Sequence, residues 1–367
     1  MNYYSWELFR YSLPLKEPLR MLGQVLNKRE GLILRLSEIP SRNSKVKIFG
    51  EGEIAPFPSL HSESLLQAEN QIMEYLCSNS KPKHSSEFFF GSVRFGLDMA
   101  FRTLTQSFHE STERNYMTAG NEISKKNITV NGLTSASGKK LELECENLQN
   151  IGFKTIKIKV GRQTVEEDIE RVRTACKILD DDVSLRLDAN RSWEWGEALE
   201  FAHALKDFSI EYCEEPLREF QKLEELHLQT GIPLALDETL WNNPNPHFLP
   251  KIGVQCLVIK PGIIGTWEST KFWSDYAEKN KIKLVLSSSF ESGLGLHWIA
   301  VMAEKMSLKQ TALGLDTIKY FEHDLIDPPF RVINGSYSFP SQRPIADTKY
   351  LHKISEGNSK LETGTYV

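Results

Sequence analysis

Cysteine is sparse in this chain. Five residues (Cys77, Cys145, Cys176, Cys213 and Cys256) are scattered over 367 positions, odd in number and without a Cys-x-x-Cys pair. That pattern argues against a disulfide framework and for reduced thiols. No apolar run approaches the ~20 residues needed to cross a bilayer. The opening Met1-Asn2-Tyr3-Tyr4-Ser5-Trp6-Glu7 has no basic stretch leading into an apolar one, so no signal peptide is expected and the expected compartment is the cytoplasm. Charge of one sign is also lacking. Forty-four Lys and Arg stand against 49 Asp and Glu, a net −5, which gives no electrostatic reason to expect nucleic acid or an anionic membrane as partner.

What is present is the composition of a globular protein, 40% apolar and 25% charged, on a chain long enough for two domains, one of them large. The first part has strand-like alternation over Leu32–Leu36, a turn-rich Gly50-Glu51-Gly52-Glu53-Ile54-Ala55-Pro56-Phe57-Pro58, and helical periodicity from about Glu63 to Cys77 and about Ser92 to Leu104. Strands followed by helices suggest a small α+β domain, placed at 1–122. From Ile128 the rhythm changes. Short runs rich in Val, Ile and Leu (Ile128–Gly132, Thr155–Val160, Val183–Leu187, Ile210–Cys213, Leu234–Leu236, Cys256–Ile259, Lys283–Leu286 and Ala312–Leu315) alternate with amphipathic stretches of helix length. Buried parallel strands read this way, and eight such units fit a closed β/α barrel over 123–319. The competing open, doubly wound sheet is disfavoured because no glycine-rich phosphate loop follows the first run. Phe330–Phe339 reads as a hairpin turned by Asn334-Gly335. Segment 320–367 is expected to return to the N-terminal domain, with that hairpin against it and a polar, frayed tail beyond Pro344.

The chemistry stands at the strand ends. Lys157-Ile158-Lys159, Asp188-Ala189-Asn190, Glu214-Glu215-Pro216, Asp237-Glu238-Thr239, Lys260-Pro261 and Ser287-Ser288-Ser289 close six successive runs, at intervals of 23 to 29 residues. In a barrel the carboxyl ends of the strands ring one mouth, where active sites of this fold lie. Strands three to five adjoin, so Asp188, Glu214 and Asp237 converge. Strands two and six oppose each other, so Lys159 and Lys260 face across the cavity. Three crowded carboxylates call for a cation, and all-oxygen ligation with no His or Cys at these positions suits Mg²⁺, with Mn²⁺ as substitute, better than zinc. Such an ion would accept a substrate carboxylate and hold the dianion left when its α-proton departs. Lys157, on the same strand face as Lys159, would lower the pKa of that base by ammonium repulsion and desolvation. Ser287 and the hydroxyls and free amides leading to a helix near Leu294 suit a second substrate carboxylate, with the Gly314 amide beside them. Arg186 reads equally as a partner to substrate or as half of a structural ion pair, and Asn190 is a weaker candidate of the same kind. His203, His227 and His297 read as packing or surface residues.

Each element alone has a plainer explanation: an alternating strand, acid and proline at a helix start, an Asx turn, an N-cap. None of these explains the order and spacing of all six together. That set, with Ser287-Ser288-Ser289-x-Glu291-Ser292, resembles the muconate-lactonising-enzyme branch of the enolase superfamily, whose sites pair a lysine or histidine base with magnesium. Within the branch, Gly50-Glu51-Gly52-Glu53-Ile54-Ala55-Pro56 and Gly314-Leu315-Asp316-Thr317 are similar to the o-succinylbenzoate synthase family.

The resemblance implies an α/β fold, a (β/α)7β TIM-type barrel with an N-terminal α+β capping domain. It also implies syn dehydration of 2-succinyl-6-hydroxy-2,4-cyclohexadiene-1-carboxylate to o-succinylbenzoate, a step of menaquinone biosynthesis. Lys159 would move the proton and Lys260 would stabilise the enediolate. Asp188, Glu214 and Asp237 would bind the metal, and Ser287 and Gly314 would lie at the succinyl end. Departures disfavour two relatives: serines replace the seventh-strand histidine of mandelate-racemase-type enzymes, and only Asp316 remains of the Asp-x-Asp of dipeptide epimerases. N-acylamino-acid racemases, acting on N-succinyl amino acids, share the lysines and metal site and are the alternative. From another class, a non-catalytic barrel binding a dicarboxylate is the second. In each case the partner is a small dicarboxylate; a homo-oligomer is compatible with the sequence.

Overall fold

The computed structural model describes residues 2–21, 23–38, 48–78, 89–113, 127–242, 245–308 and 311–361. The expected domain boundary at 122/123 lies outside the described residues. Strands β1 (Asn2–Met21) and β2 (Gln24–Glu38) form a long antiparallel hairpin, and β3 (Phe49–Ile54) pairs with β2. Strand alternation sorts the side chains of β1 onto two faces. Tyr4, Trp6 and Leu8 share a core with Leu32, Leu34, Leu36 and Ile54 and with residues of helices α1 (Leu65–Cys77) and α2 (Gly91–Glu113). Phe9, Tyr11, Leu13 and Leu15 join the larger core that runs through the rest of the chain.

The stretch read as turn-rich is strand through Ile54. Its glycines answer to packing: a Cβ on Gly50 would stand 2.0 Å from the Ala100 carbonyl oxygen, and one on Gly52 would stand 1.8 Å from that of Gly96, both on α2. Only glycine lets strand and helix backbones approach so closely.

The second part alternates strands and helices: β4 (Asn127–Thr129), β5 (Gly132–Thr134), α3 (Gly138–Asn150), β6 (Thr155–Lys159), α4 (Val165–Ile178), β7 (Ser184–Asp188), α5 (Trp195–Ala204), β8 (Tyr212–Glu214), α6 (Leu223–Thr230), β9 (Leu234–Leu236), α7 (Glu238–Asn242), β10 (Val254–Ile259), α8 (Pro261–Ile264), α9 (Trp267–Asn280), β11 (Lys283–Leu286) and α10 (Gly293–Lys305). Strands β5 to β11 pair in sequence order, all parallel. The eighth run closes the ring through parallel bridges Leu313–Val130 and Gly314–Ser287. A 3-10 turn, Asp316–Tyr320, follows it instead of a full helix, which makes the barrel (β/α)7β. Tyr212, Ala235, Cys256, Val258 and Val285 form a buried cluster contributed by strands β8 to β11.

Beyond the barrel, two expectations are corrected. Asn334 and Gly335, both with positive φ, do turn a hairpin, β12 (Val332–Ile333) and β13 (Ser336–Ser338), but it pairs with β4 beside the barrel and not with the N-terminal sheet. There the Tyr337 hydroxyl meets His297 Nδ1 at 2.7 Å, confirming His297 as a buried packing residue. The segment that does return is β14 (His352–Leu361), antiparallel to β1. Its polar composition suggests fraying, yet its mostly solvent-facing side chains belong to an edge strand anchored by Leu361 in the core and by Ser359 on the Trp6 indole, while the last part of that tail, 362–367, lies outside the described residues.

One carboxylate ties the N-terminal sheet to the barrel. Glu53 is fully buried and accepts hydrogen bonds from the Ser292 amide (2.9 Å), the Ser292 hydroxyl (2.8 Å), the Gly295 amide (2.9 Å) and the Tyr11 hydroxyl. It thereby caps α10 from another part of the fold, where the helix dipole favours a negative charge. Glu53→Ala is expected to lower the unfolding free energy by about 3 kcal/mol, since buried donors to a charged acceptor lose their partner. Urea unfolding of the variant beside wild type measures this; a change under about 1 kcal/mol would contradict the assignment.

Candidate active site

Parallel pairing sets the strand ends in register: Lys159 opposite Asp188, and Asp188 opposite Glu214. The second acid of Glu214-Glu215-Pro216 then ties the strand ends together. Glu215, at φ 42°, accepts from the Asp237 amide (2.9 Å), the Thr239 amide (2.6 Å), the Thr239 hydroxyl (3.0 Å) and Arg191 Nε (2.9 Å). With Glu215 so engaged, Glu214 and Asp237 are left for the barrel interior.

Three lysine side chains meet these acids. Lys157 Nζ lies 2.6 Å from Glu214 Oε2 and 2.8 Å from Asp188 Oδ2, and Lys159 Nζ lies 2.5 Å from Asp188 Oδ2 and 2.9 Å from Asn190 Oδ1. Lys260 Nζ pairs with Asp237 Oδ2 and stands 5.7 Å from the centre of the Trp241 ring. Lys157, Lys159, Asp188, Asn190 and Lys260 all line one cavity of about 140 Å³, with Glu214 and Asp237 fully buried behind it. Clefts of about 1120 and 550 Å³ open beside it and share Leu60, Asn190 and Glu238 with it.

Burial and charge work against each other here. Burial raises the Asp188 carboxyl, but Lys157 and Lys159 outweigh it and hold the group below the usual carboxylate range. Glu214 is pushed well up by burial and then by the neighbouring charge of Asp188. Burial lowers Lys260, yet Asp237, Glu238 and Glu214 carry it above its ordinary value.

Among the described residues, no three acids, histidines or cysteines stand together as a metal cage, and amines lie against the acids. The donor set nevertheless fits a hard cation. Among the described residues Glu214 Oε1 is buried without a hydrogen-bond partner, and a buried unpartnered carboxylate oxygen among other acids is a position that such an ion satisfies.

Other sequence candidates fall differently. Arg186 does not line the cavity; it is fully buried, pairs with Glu211 Oε2 at 2.8 Å, donates to the Ala312 carbonyl at 2.7 Å and stacks over Tyr212, so of its two readings the ion pair is the one the fold uses. Ser287 lines the cavity, its hydroxyl 3.4 Å from the Gly314 carbonyl. The expected Gly314 amide is spent on the Leu286 carbonyl at 2.9 Å, because the eighth run completes the barrel ladder. What Gly314 contributes is room: a Cβ there would stand 2.4 Å from Ser287 Oγ. The start of α10 is likewise taken. Its Ser292, Gly293 and Gly295 amides serve Glu53 and Asp324, so protein carboxylates occupy the place expected for a substrate carboxylate.

Sequence reasoning passed over Glu238. Burial and then the Asp237 charge raise its carboxyl to about 7; Oε1 accepts from Asn190 Nδ2 at 3.0 Å, linking it through Asn190 to Lys159. Its place in Asp237-Glu238-Thr239 was the available signal. Leu19, from the β1–β2 hairpin, and Leu60, after β3, also line the cavity, and nothing local in the sequence marks them.

Residues 140–344 match the enolase C-terminal domain-like family, and residues 3–104 match the family described as MenC, N-terminal domain. The chain is 32% identical to the o-succinylbenzoate synthase of Pasteurella multocida over 337 residues, covering 88% of this chain and 92% of that one. It is 32% identical to that of Haemophilus influenzae over 330 residues, with the same coverages. The chain belongs to the o-succinylbenzoate synthase family. It is accordingly an enzyme of the lyase class, within the enolase superfamily. Similar solved structures include the L-Ala-D/L-Glu epimerase of Bacillus subtilis (20% identity, 97% of this chain and 100% of that one, TM-score 0.74). The N-succinyl Arg/Lys racemase of Bacillus cereus is another (15% identity, 98% and 100%, TM-score 0.74). At such identities these neighbours speak to the fold alone. No helix among the described residues is long and apolar enough to cross a membrane.

Proposed function

We propose that the chain dehydrates 2-succinyl-6-hydroxy-2,4-cyclohexadiene-1-carboxylate to o-succinylbenzoate, a step of menaquinone biosynthesis; the o-succinylbenzoate synthases it resembles support this reading. The supporting observation is that Lys159 and Lys260 line one cavity, with Asp188, Glu214 and Asp237 at the ends of the strands between them. In this reading Lys159, as the free amine, takes the proton from the carbon bearing the carboxylate. The C–O bond to the ring hydroxyl then breaks, and Lys159 returns the same proton to the departing oxygen, so that water leaves and the ring becomes aromatic. Asn190, bonded to Lys159 Nζ and braced by Glu238, orients the base. Lys260, on the opposite side, remains an ammonium and stabilises the negative charge that develops on the substrate carboxylate. Lys157, held by Asp188 and Glu214, keeps those acids in place. Asp188, Glu214 and Asp237 would hold Mg²⁺ or Mn²⁺, which would supply an electrophile for the substrate carboxylate oxygens. Ser287 and the space at Gly314 suit the succinyl end.

An ultraviolet assay for aromatic product, with EDTA and with magnesium restored, tests the proposal. Turnover abolished by EDTA and recovered with magnesium is expected. Exchange of the α-proton of an N-succinyl amino acid without any dehydration would favour the racemase reading, and binding without either reaction would favour the non-catalytic one.

A further inference from the structure

At the end of the eighth strand, the 3-10 turn Asp316–Tyr320 forms part of the cavity wall. Asp316, Thr317 and Tyr320 line it beside Ser288 and Gly314. Asp316 is buried and lines a space that the proposed function fills with a substrate bearing two carboxylates. Left alone, that charge would oppose such a substrate, because like charges in a weakly screened pocket repel strongly. It is not left alone. Lys319, three residues on, places Nζ 2.5 Å from Asp316 Oδ2 and 2.7 Å from the Leu133 carbonyl. The Lys319 side chain is 35% exposed and is not itself part of the cavity lining, so it reaches Asp316 from outside. The Ser288 hydroxyl, 2.7 Å from the Thr317 hydroxyl, ties the turn to the seventh strand end. The acid therefore presents a neutral pair to the cavity.

We propose that Lys319 is a specificity-determining residue that cancels the Asp316 charge and so lets this wall accept the second carboxylate of a dianionic substrate. The proposal rests on the functional reading above for the substrate class, and its test separates the two. Affinity for o-succinylbenzoate, a stable dianion, is measured by calorimetry beside KM and kcat for the dehydration. Lys319→Met is expected to raise Kd and KM about tenfold, equivalent to about 1.4 kcal/mol, with kcat within about twofold of wild type. Lys319→Arg should keep both near wild type. Adding Asp316→Asn to Lys319→Met should restore affinity, a rescue that a merely structural lysine would not show. Unchanged affinity in Lys319→Met, or no recovery in the double variant, would overturn the proposal while leaving the dehydration reading intact. If Lys319→Met does not fold, Asp316→Asn alone decides: tighter binding is expected, and weaker binding contradicts the proposal. A wild-type protein that neither binds the dianion nor forms it sinks both readings.

Discussion

Lys159→Ala is expected to lower kcat for dehydration by about a thousandfold, the middle of the range for losing a general base. The physical basis is position. Lys159 Nζ is held by Asp188 and Asn190 at the edge of the shared cavity, and no other described amine takes its place. Lys157, two residues deeper on the same strand face, is engaged by Glu214 and Asp188; burial lowers its pKa, but Asp188 and Glu214 outweigh that and hold its charge well above the ordinary lysine value. An ammonium so held cannot accept a proton near neutral pH, so Lys157 is not expected to rescue the variant. Magnesium affinity should stay close to wild type, because removing Lys159 takes a cation away from the acids and removes no ligand. Steady-state kinetics and calorimetric magnesium titration of the same preparation provide the check. Turnover within about tenfold of wild type would end the assignment of Lys159 as base.

Asp237→Asn should weaken magnesium binding at least tenfold to a hundredfold, since even residues that merely orient ligands have effects of that size. The fold is expected to survive. Asp237 Oδ1 accepts from Trp241 Nε1 at 3.1 Å, a bond that an amide oxygen can keep, and the Asp237 backbone stays anchored to Glu215. The variant also releases Lys260, whose ammonium is paired with Asp237 Oδ2. Hence kcat at saturating magnesium should fall as well, through loss of a placed positive charge. A magnesium dissociation constant unchanged by calorimetry would remove Asp237 from the ligand set.

Much of this arrangement was legible because barrel strands are short, apolar and repetitive. Each βα unit places its last residue at one mouth, so recurrence along the chain becomes proximity in space. Lys159, Asp188, Asn190, Lys260 and Ser287 could therefore be brought together on paper, and the structure draws all five to the lining of one cavity. What misled were residues whose partners lie far along the chain. Gly50 and Gly52 looked like turn residues because α2, which needs their bareness, begins some forty residues later. The serine-rich approach to α10 looked open to a ligand because Glu53 and Asp324, which fill it, come from distant segments.

The sequence by itself determined the alternation of strands and helices, the order of the strand ends and the kinds of group gathered at one mouth, because each depends on local periodicity and on a topology with few alternatives. Only the tertiary structure decided which candidates reach the cavity and which are already engaged. Arg186 was lost to an ion pair, the Gly314 amide to the closing ladder and the start of α10 to Glu53, while Glu238, Leu19 and Leu60 were gained. The reason is that hydrogen-bond and charge pairing is a competition settled by distance in space, and sequence separation says little about distance once a barrel has closed.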